Sequence, residues 1–278
     1  MTIAITGATG QLGRLAVDAL KARGATPLAL VRDPAKAADL GVEVRSFDYT
    51  KADPAALKGV EMLVLISSND FNDRAGQHVK ALEAAKAAGV RHVIYTSILK
   101  GDASPLQLAE DHKATEAALR ASGLAHTILR NGWYTENFTG SLGAALAHGA
   151  MIGSAGSGRI AAAPRKDYAE AIAAVATNPA HQGKVHELAG DTAFTMAEMA
   201  AEVSRLSGKQ IPYNSLPAEA YAGILQGFGL PAGFAAMLAD SDVQAAAGAL
   251  HDDSRTLSRL IGRPTTPMAE TVKAALAA

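Results

Sequence analysis

The run Thr6-Gly7-Ala8-Thr9-Gly10-Gln11-Leu12-Gly13 follows a β-rich segment that starts at residue 2, and it opens a helical one. Glycines at 7, 10 and 13 meet three needs of such a junction: a tight turn, close approach of the backbone to a pyrophosphate, and close packing of helix on strand. The first amides of a helix have no intrahelical partner, so the turn also presents N–H donors to an anion. A glycine triplet alone is a weak signal. At the first strand-to-helix junction of a repeating βα pattern it predicts a dinucleotide site.

That pattern is present. β-rich segments at Thr2 to Thr6, Thr26 to Val31, Val42 to Phe47, Met62 to Ser67, His92 to Ser97 and His126 to Leu129 alternate with amphipathic stretches. In the first of these stretches Leu12, Leu15, Ala16, Ala19 and Leu20 form one buried stripe at helical spacing. The alternation predicts an α/β fold: a doubly wound, Rossmann-type parallel sheet covered by helices on both faces. Asp33-Pro34 and Asp53-Pro54 read as helix starts, and Thr195 with Glu198 has capping-box spacing. Beyond about residue 132 the pattern changes. Gly140 to Gly158 is rich in glycine and alanine, and Leu216 to Leu250 reads as short helices broken by Gly227, Gly229, Pro231 and Gly233. We therefore expect an NADP-binding domain over 1–132 and a smaller C-terminal α/β lobe over 133–278, with segments near 160–190 returning to the first domain.

Composition narrows the function classes. Twenty-six Lys and Arg against 27 Asp and Glu leave no basic field for a nucleic-acid backbone or an anionic membrane surface. There is no cysteine, hence no disulfide and no thiolate nucleophile. No stretch approaches the roughly 20 apolar residues of a bilayer span, and no secretory n-region opens the chain. The expectation is a cytoplasmic protein, monomer or homodimer, with neither nucleic acid nor membrane as partner. No helix carries a His-Glu-x-x-His pattern, so no metal is assigned.

The cofactor choice turns on Arg32, about 20 residues beyond the glycine turn, where an NAD-preferring chain often places an acid on the ribose. A guanidinium there can fork onto a 2′-phosphate instead, which favours NADPH. Asp33 is the competing ribose acid, although its place before Pro34 gives it a helix-capping role. Asp48 fits either an adenine contact or a loop cap. Ser67, Ser68 and Asn69 end the fourth strand, at the edge where ligands lie in open α/β sheets.

Together with Ser67-Ser68, Tyr95-Thr96-Ser97 and the segment Arg130 to Asn137, the glycine turn makes the chain resemble the NmrA-like atypical short-chain dehydrogenases, and within them the bacterial NADPH:quinone oxidoreductases. The likeness continues through Leu188-Ala189-Gly190-Asp191, Ser207-Gly208-Lys209-Gln210, Ala239-Asp240-Ser241-Asp242 and Leu260-Ile261-Gly262. It implies NADPH held by Thr6, Gly7, Ala8, Thr9, Gly10, Gln11, Leu12 and Gly13, with Arg32 on the 2′-phosphate. It also implies that the nicotinamide lies near Ser67, Ser68, Gly132, Trp133, Tyr134, Glu136 and Asn137, and that a quinone pocket separates that segment from the C-terminal lobe. Arg74 and Arg165 reach the cofactor on this reading, whereas composition alone makes them surface arginines. Triphenylmethane dye reductases and noncatalytic NADP(H) redox sensors are more distant relatives and give the alternative functions.

The usual short-chain dehydrogenase pair, a tyrosine with lysine four residues later, is absent. The positions four after the six tyrosines hold Asp53, Leu99, Phe138, Ile172, Pro217 and Leu225. A ketone needs an acid to protonate its alkoxide, whereas a quinone takes hydride as a delocalised anion that water can protonate, so the missing acid fits a quinone acceptor. Related reductases carry a lysine near the start of the helix read here from Leu108 to Ala121. This chain offers His112 with Lys113 beside it. Leu108, His112, Thr115 and Leu119 share one face, which turns His112 toward the sheet and Lys113 away, and Glu116 is placed to orient the imidazole. A buried structural histidine is the equal alternative. His112, Tyr134 and Asn137 are the candidate catalytic residues. Trp133, Tyr134 and Phe138 serve either as a wall against a flat ligand or as core, and Phe228, Phe234 and Met237 as lid or core.

Overall fold

The computed structural model describes residues 1–277. Its centre is a seven-stranded sheet built from β1 (Ile3–Thr6), β2 (Leu28–Val31), β3 (Val44–Ser46), β4 (Met62–Leu65), β5 (His92–Ile98), β6 (Ala125–Asn131) and, beyond a short lobe strand β7 (Met151–Gly153), β8 (Val185–Leu188). Every pairing is parallel and the order is β3-β2-β1-β4-β5-β6-β8. The order reverses direction at β1, where the β1/β4 boundary opens a crevice at the strands' carboxyl ends.

Apolar residues on both faces make the central strands continuous buried runs. Ile3, Ile5, Val31 and Val64 pack under helices α1 (Gln11–Ala22) and, later in the chain, α6 (Arg165–Ala176). Leu30, Leu63, Leu65 and Tyr95 pack under α2 (Arg74–Ala87) and α3 (Ala109–Ala121) on the other face. The predicted stripe of α1 is realised through Leu12, Ala16 and Leu20, all buried. β6 runs longer than its apolar core suggests, because all seven of its residues pair with β5.

After β6 the chain enters a lobe above the carboxyl ends of the strands. It contains α4 (Glu136–Thr139), α5 (Leu142–His148) and the β7 strand, which pairs in parallel with β9 (Tyr213–Ser215). α7 (Met196–Ser207), the hairpin of α8 (Ala218–Gly227) and α9 (Ala232–Ala246), and α11 (Met268–Ala277) complete it. Return to the sheet involves α6 and β8 near 160–190, and also α10 (Thr256–Ile261), whose Leu257 joins the core under α1 and α6. Thr195 and Glu198 form the predicted reciprocal capping box at the start of α7. Asp33 and Asp53 cap short 3₁₀ turns, accepting from the Ala35 and Ala55 N–H groups. Among the described residues no helix is long and apolar enough to cross a membrane.

Candidate functional site

A cleft of about 1400 Å³ runs along the carboxyl ends of β1, β2, β4, β5 and β6 and continues under the lobe. At its β1 end the glycine turn is sterically compelled. Gly7 adopts φ +59°, and a Cβ on Gly13 would stand 2.2 Å from the Gly7 carbonyl oxygen and 2.8 Å from the Ala8 Cα, against backbone that has no room to move. The Gly10 N–H donates to the Gly7 oxygen at 2.9 Å and closes the turn. No side chain caps α1 at Gly10, so its first amides remain available to an anion. Gly7, Thr9, Gly10, Gln11, Leu12 and Gly13 all line the cleft.

Two sequence expectations at this turn are corrected. Thr6 does not line the cleft: its hydroxyl is buried, donates to the Val64 oxygen and accepts from the Tyr49 hydroxyl at 2.6 Å and from the Ile66 N–H. Ala8 is fully buried in the core beneath the turn. Both shape the loop from below.

Arg32 is exposed on the cleft wall and forms no ion pair among the described residues. The Asp33 carboxylate accepts from the Ala35 N–H at 3.1 Å, so its capping role is filled. Lys36, one turn further on, also lines the cleft, a second cation that the sequence reading missed. Asp48 serves both of its readings: it lines the cleft and caps Thr50, whose N–H lowers its carboxyl below the usual range.

At the β4 end, Ser67 and Ser68 line the cleft as expected, and the loop is held by His78. The Ser68 N–H donates to His78 Nε2 at 2.9 Å, and Nδ1 lies 2.9 Å from the Thr115 hydroxyl, which itself donates to the Asp111 oxygen. Since Nε2 accepts, the ring is neutral with its proton on Nδ1, in line with burial and the nearby Arg74 pushing its pKa down to about 3. Arg74 is no surface residue: it is 4% exposed, donates to the Ser68 oxygen at 2.8 Å and lies 4.4 Å over the Phe71 ring. Its Nη1 is buried without a hydrogen-bond partner. Asn131, also unanticipated, lines the cleft with its buried Oδ1 unpartnered. Open helix amides, a backbone cradle that excludes Cβ atoms, the unpartnered Asn131 Oδ1 and Arg74 Nη1, which has no hydrogen bond and only the Asp111 carboxylate 3.8 Å away, fit a dinucleotide with a polar ring.

His112 lies on the face that periodicity predicted, buried at the cleft wall. Its partner is the correction. Nδ1 is 2.8 Å from the Tyr95 hydroxyl, whereas Glu116 accepts from Ser97, Arg120 and Arg130 and does not touch the imidazole. Burial, with Arg74 nearby, pushes His112 down to about 3, so the ring is neutral. With Tyr95 donating to Nδ1 the proton sits on Nε2, which has no protein partner. Lys113 turns away and pairs with Glu110 at 2.8 Å.

Gly132, Trp133, Tyr134 and Asn137 line the cleft beyond β6. The Tyr134 hydroxyl accepts from Asn131 at 3.3 Å, and burial holds its pKa above the usual phenol range. Arg165, largely buried, donates to Asn137 Oδ1 at 2.9 Å and lies 4.6 Å over the Tyr134 ring. Glu136 is displaced from the predicted set: it does not line the cleft, because its carboxylate accepts from the Arg165 N–H at 3.0 and 3.1 Å and caps α6. Trp133 and Phe138 are both wall and core, and Phe228, Phe234 and Met237 line the far chamber.

The NAD(P)H-binding family model matches residues 7–179. Across 277 residues, 97% of this chain and 97% of the relative, the chain is 53% identical to Quinone oxidoreductase 2 of Escherichia coli (strain K12). The crystal structure of NADPH-dependent quinone oxidoreductase from Escherichia coli complexed with NADPH superposes with a TM-score of 0.94 at 52% identity, covering 99% of each chain. Triphenylmethane reductase from Citrobacter sp., complexed with NADP(H), superposes with a TM-score of 0.91 at 35% identity, covering 98% of this chain and 99% of that one. The chain therefore belongs to the NAD(P)H-binding family.

Proposed function

We propose that this chain is an NADPH-dependent oxidoreductase that delivers hydride to a quinone. The observation that carries the reading is the continuity of a dinucleotide cleft with an aromatic and aliphatic chamber that offers no tyrosine–lysine acid. The relatives named above are described as acting on a quinone and on triphenylmethane dyes, planar conjugated acceptors in both cases.

When bound, NADPH supplies the hydride at its nicotinamide ring. The glycine turn and the first amides of α1 hold the pyrophosphate, and Arg32 with Lys36 takes the 2′-phosphate. Asn131 and Arg74 offer their free polar atoms to the nicotinamide half. Arg165 fixes Asn137 Oδ1 and leaves the Asn137 amide N–H groups for a ligand oxygen. The Tyr134 phenol, kept protonated by burial, donates to a quinone oxygen as negative charge develops there. His112, neutral and held by Tyr95, donates from Nε2 and positions the ring that faces it. Quinone plus hydride gives the hydroquinone anion, and a proton from water completes the product, so no side chain has to surrender one. On this division of labour residues 1–132 with the returning segments hold the cofactor, and the lobe drawn from 133–278 supplies the acceptor chamber. A noncatalytic sensor calls for a sealed or polar pocket; the open apolar chamber favours catalysis.

The test is NADPH absorbance in the presence of purified protein and a panel of benzoquinones, unactivated ketones and triphenylmethane dyes. Turnover with quinones, little or none with ketones and no metal requirement are expected. Binding of NADPH without hydride transfer to any quinone would make the sensor the better reading.

A further inference from the structure

The acceptor chamber is not uniformly apolar. Among the aliphatic and aromatic side chains that α8 and α9 contribute, including Leu225, Phe234 and Leu238, stands the carboxylate of Asp242 on α9. It is positioned: Oδ2 accepts from the Ser154 N–H at 2.7 Å. Position 153 is glycine for a reason, since a Cβ there would lie 2.6 Å from Oδ2 and 2.9 Å from the Tyr213 hydroxyl, which itself accepts from the Ala155 N–H at 3.0 Å. Two strands of the lobe are thus shaped around this one carboxylate.

Nothing in the protein neutralises it. Asp242 forms no ion pair among the described residues, and Oδ1 has no protein hydrogen-bond partner. Burial raises its carboxyl to about 6, so at neutral pH it remains mainly ionised in a low-dielectric wall, a placement that costs stability without a partner. Tyr221 on α8 lines the same chamber, and its hydroxyl also has no protein partner. Burial and the adjacent Asp242 keep its phenol protonated. One free acceptor and one free hydroxyl therefore sit together at the wall of an otherwise apolar chamber.

Resting on the quinone reading above, we propose that Asp242, positioned by Gly153 and Ser154 and accompanied by Tyr221, selects acceptors that carry a hydrogen-bond donor, a hydroxyl or amino substituent, over equally bulky alkyl-substituted rings. A ring bearing such a donor satisfies Oδ1. An alkyl substituent leaves that oxygen buried and unpaired, which is the physical basis of discrimination by a polar group in an apolar site.

The experiment compares a para-benzoquinone bearing a hydroxypropyl chain with the same ring bearing a butyl chain, by titration calorimetry on protein saturated with NADP⁺ and by steady-state rates with NADPH. The absence of cysteine removes thiol alkylation by the quinone as a side reaction. The wild type should favour the hydroxypropyl ring by about tenfold in Kd and kcat/KM. Asp242→Asn keeps an oxygen for the Ser154 N–H and turns an amide NH₂ toward the chamber, which the hydroxyl can meet only as an acceptor in a neutral bond, so the ratio should fall several-fold, to about two or three. Tyr221→Phe should reduce the ratio by less. A wild-type ratio near one, an unchanged ratio in Asp242→Asn, or equal weakening of both rings by that variant would overturn the proposal. If neither ring is turned over while the binding ratio holds, the reductase reading falls and the selectivity stands; equal binding and turnover of both sinks the selectivity alone.

Discussion

Replacing Arg32 with alanine tests the cofactor half of the site. The guanidinium stands at the cleft wall with no ion pair of its own, and Asp33 beside it is engaged at the Ala35 N–H. Its loss therefore removes a contact to the ligand without breaking one in the fold. A charged hydrogen bond contributes about 1.5–3 kcal/mol. Arg32 is exposed and Lys36 remains, so solvent screening places the effect at the lower end, about 1.5–2 kcal/mol, or about 10- to 30-fold in Kd for NADPH. NADH, which has no 2′-phosphate, should change by less than about twofold. Titration calorimetry of both cofactors on wild type, Arg32→Ala, Lys36→Ala and the double variant at fixed ionic strength reads this directly. The two cations share one target, so their effects should not be additive. Equal affinity of the wild type for the two cofactors, or equal weakening of both by Arg32→Ala, would refute the assignment.

His112→Ala should lower turnover by about ten- to a hundredfold while Lys113→Ala does not, and His112, at about 3, should contribute no break in the pH profile above about pH 5. A lower melting temperature with kinetics intact would make His112 purely structural. Glu116→Ala should destabilise the fold by about 1.5–3 kcal/mol, since Arg130 loses the carboxylate that accepts at 2.7 and 2.9 Å but keeps Glu187 at 2.9 Å. Burial pushes the Glu116 carboxyl up, but its bonds to Arg130 and Ser97 and the nearby guanidinium charges together outweigh this and lower it, so the contribution is complete above its unfolded value of about 4.3 and lost as pH falls through the lower folded one. Melting temperatures should converge in acid, and a constant gap would contradict the assignment. Asp242 has the opposite sign: its folded value of about 6 is raised, so its contribution is lost as pH rises through that value. Asp242→Asn should gain in melting temperature over wild type as pH rises from about 4 to about 6 and keep that gain above it, and a gap that shrinks instead would contradict it.

The sheet and the glycine turn were legible because their signals are local: apolar runs of strand length, and three glycines whose spacing is dictated by backbone contacts within seven residues. The face of α3 that carries His112 was legible for the same reason, from helical periodicity. Its partner was not. Tyr95 reaches it from β5, and which strand residue lies under which helix residue depends on how the sheet stacks. Glu116 was the sequence neighbour, but Arg130 from β6 claims it. Arg74 entered the cofactor set through the resemblance alone, because composition, which makes it a surface charge, does not show that the Ser68 oxygen and the Phe71 ring enclose it. Asp242 lay in a run that matched the resemblance, Ala239 to Asp242, but its role was not legible, since its surroundings are assembled from β7, β9, α8 and α9. Glu136 lay inside a matching segment, yet its carboxylate caps α6 from a distance of 29 positions in the chain.

On the reading proposed above, this cleft passes a two-electron hydride from NADPH to a quinone. The most direct measurement is the anaerobic product balance, with NADPH loss and hydroquinone appearance followed together in purified protein treated with chelator. One hydroquinone should form for each NADPH consumed, at a rate that rises in proportion to enzyme and survives chelation. Stoichiometric binding of NADPH with no hydroquinone above the uncatalysed background would contradict it.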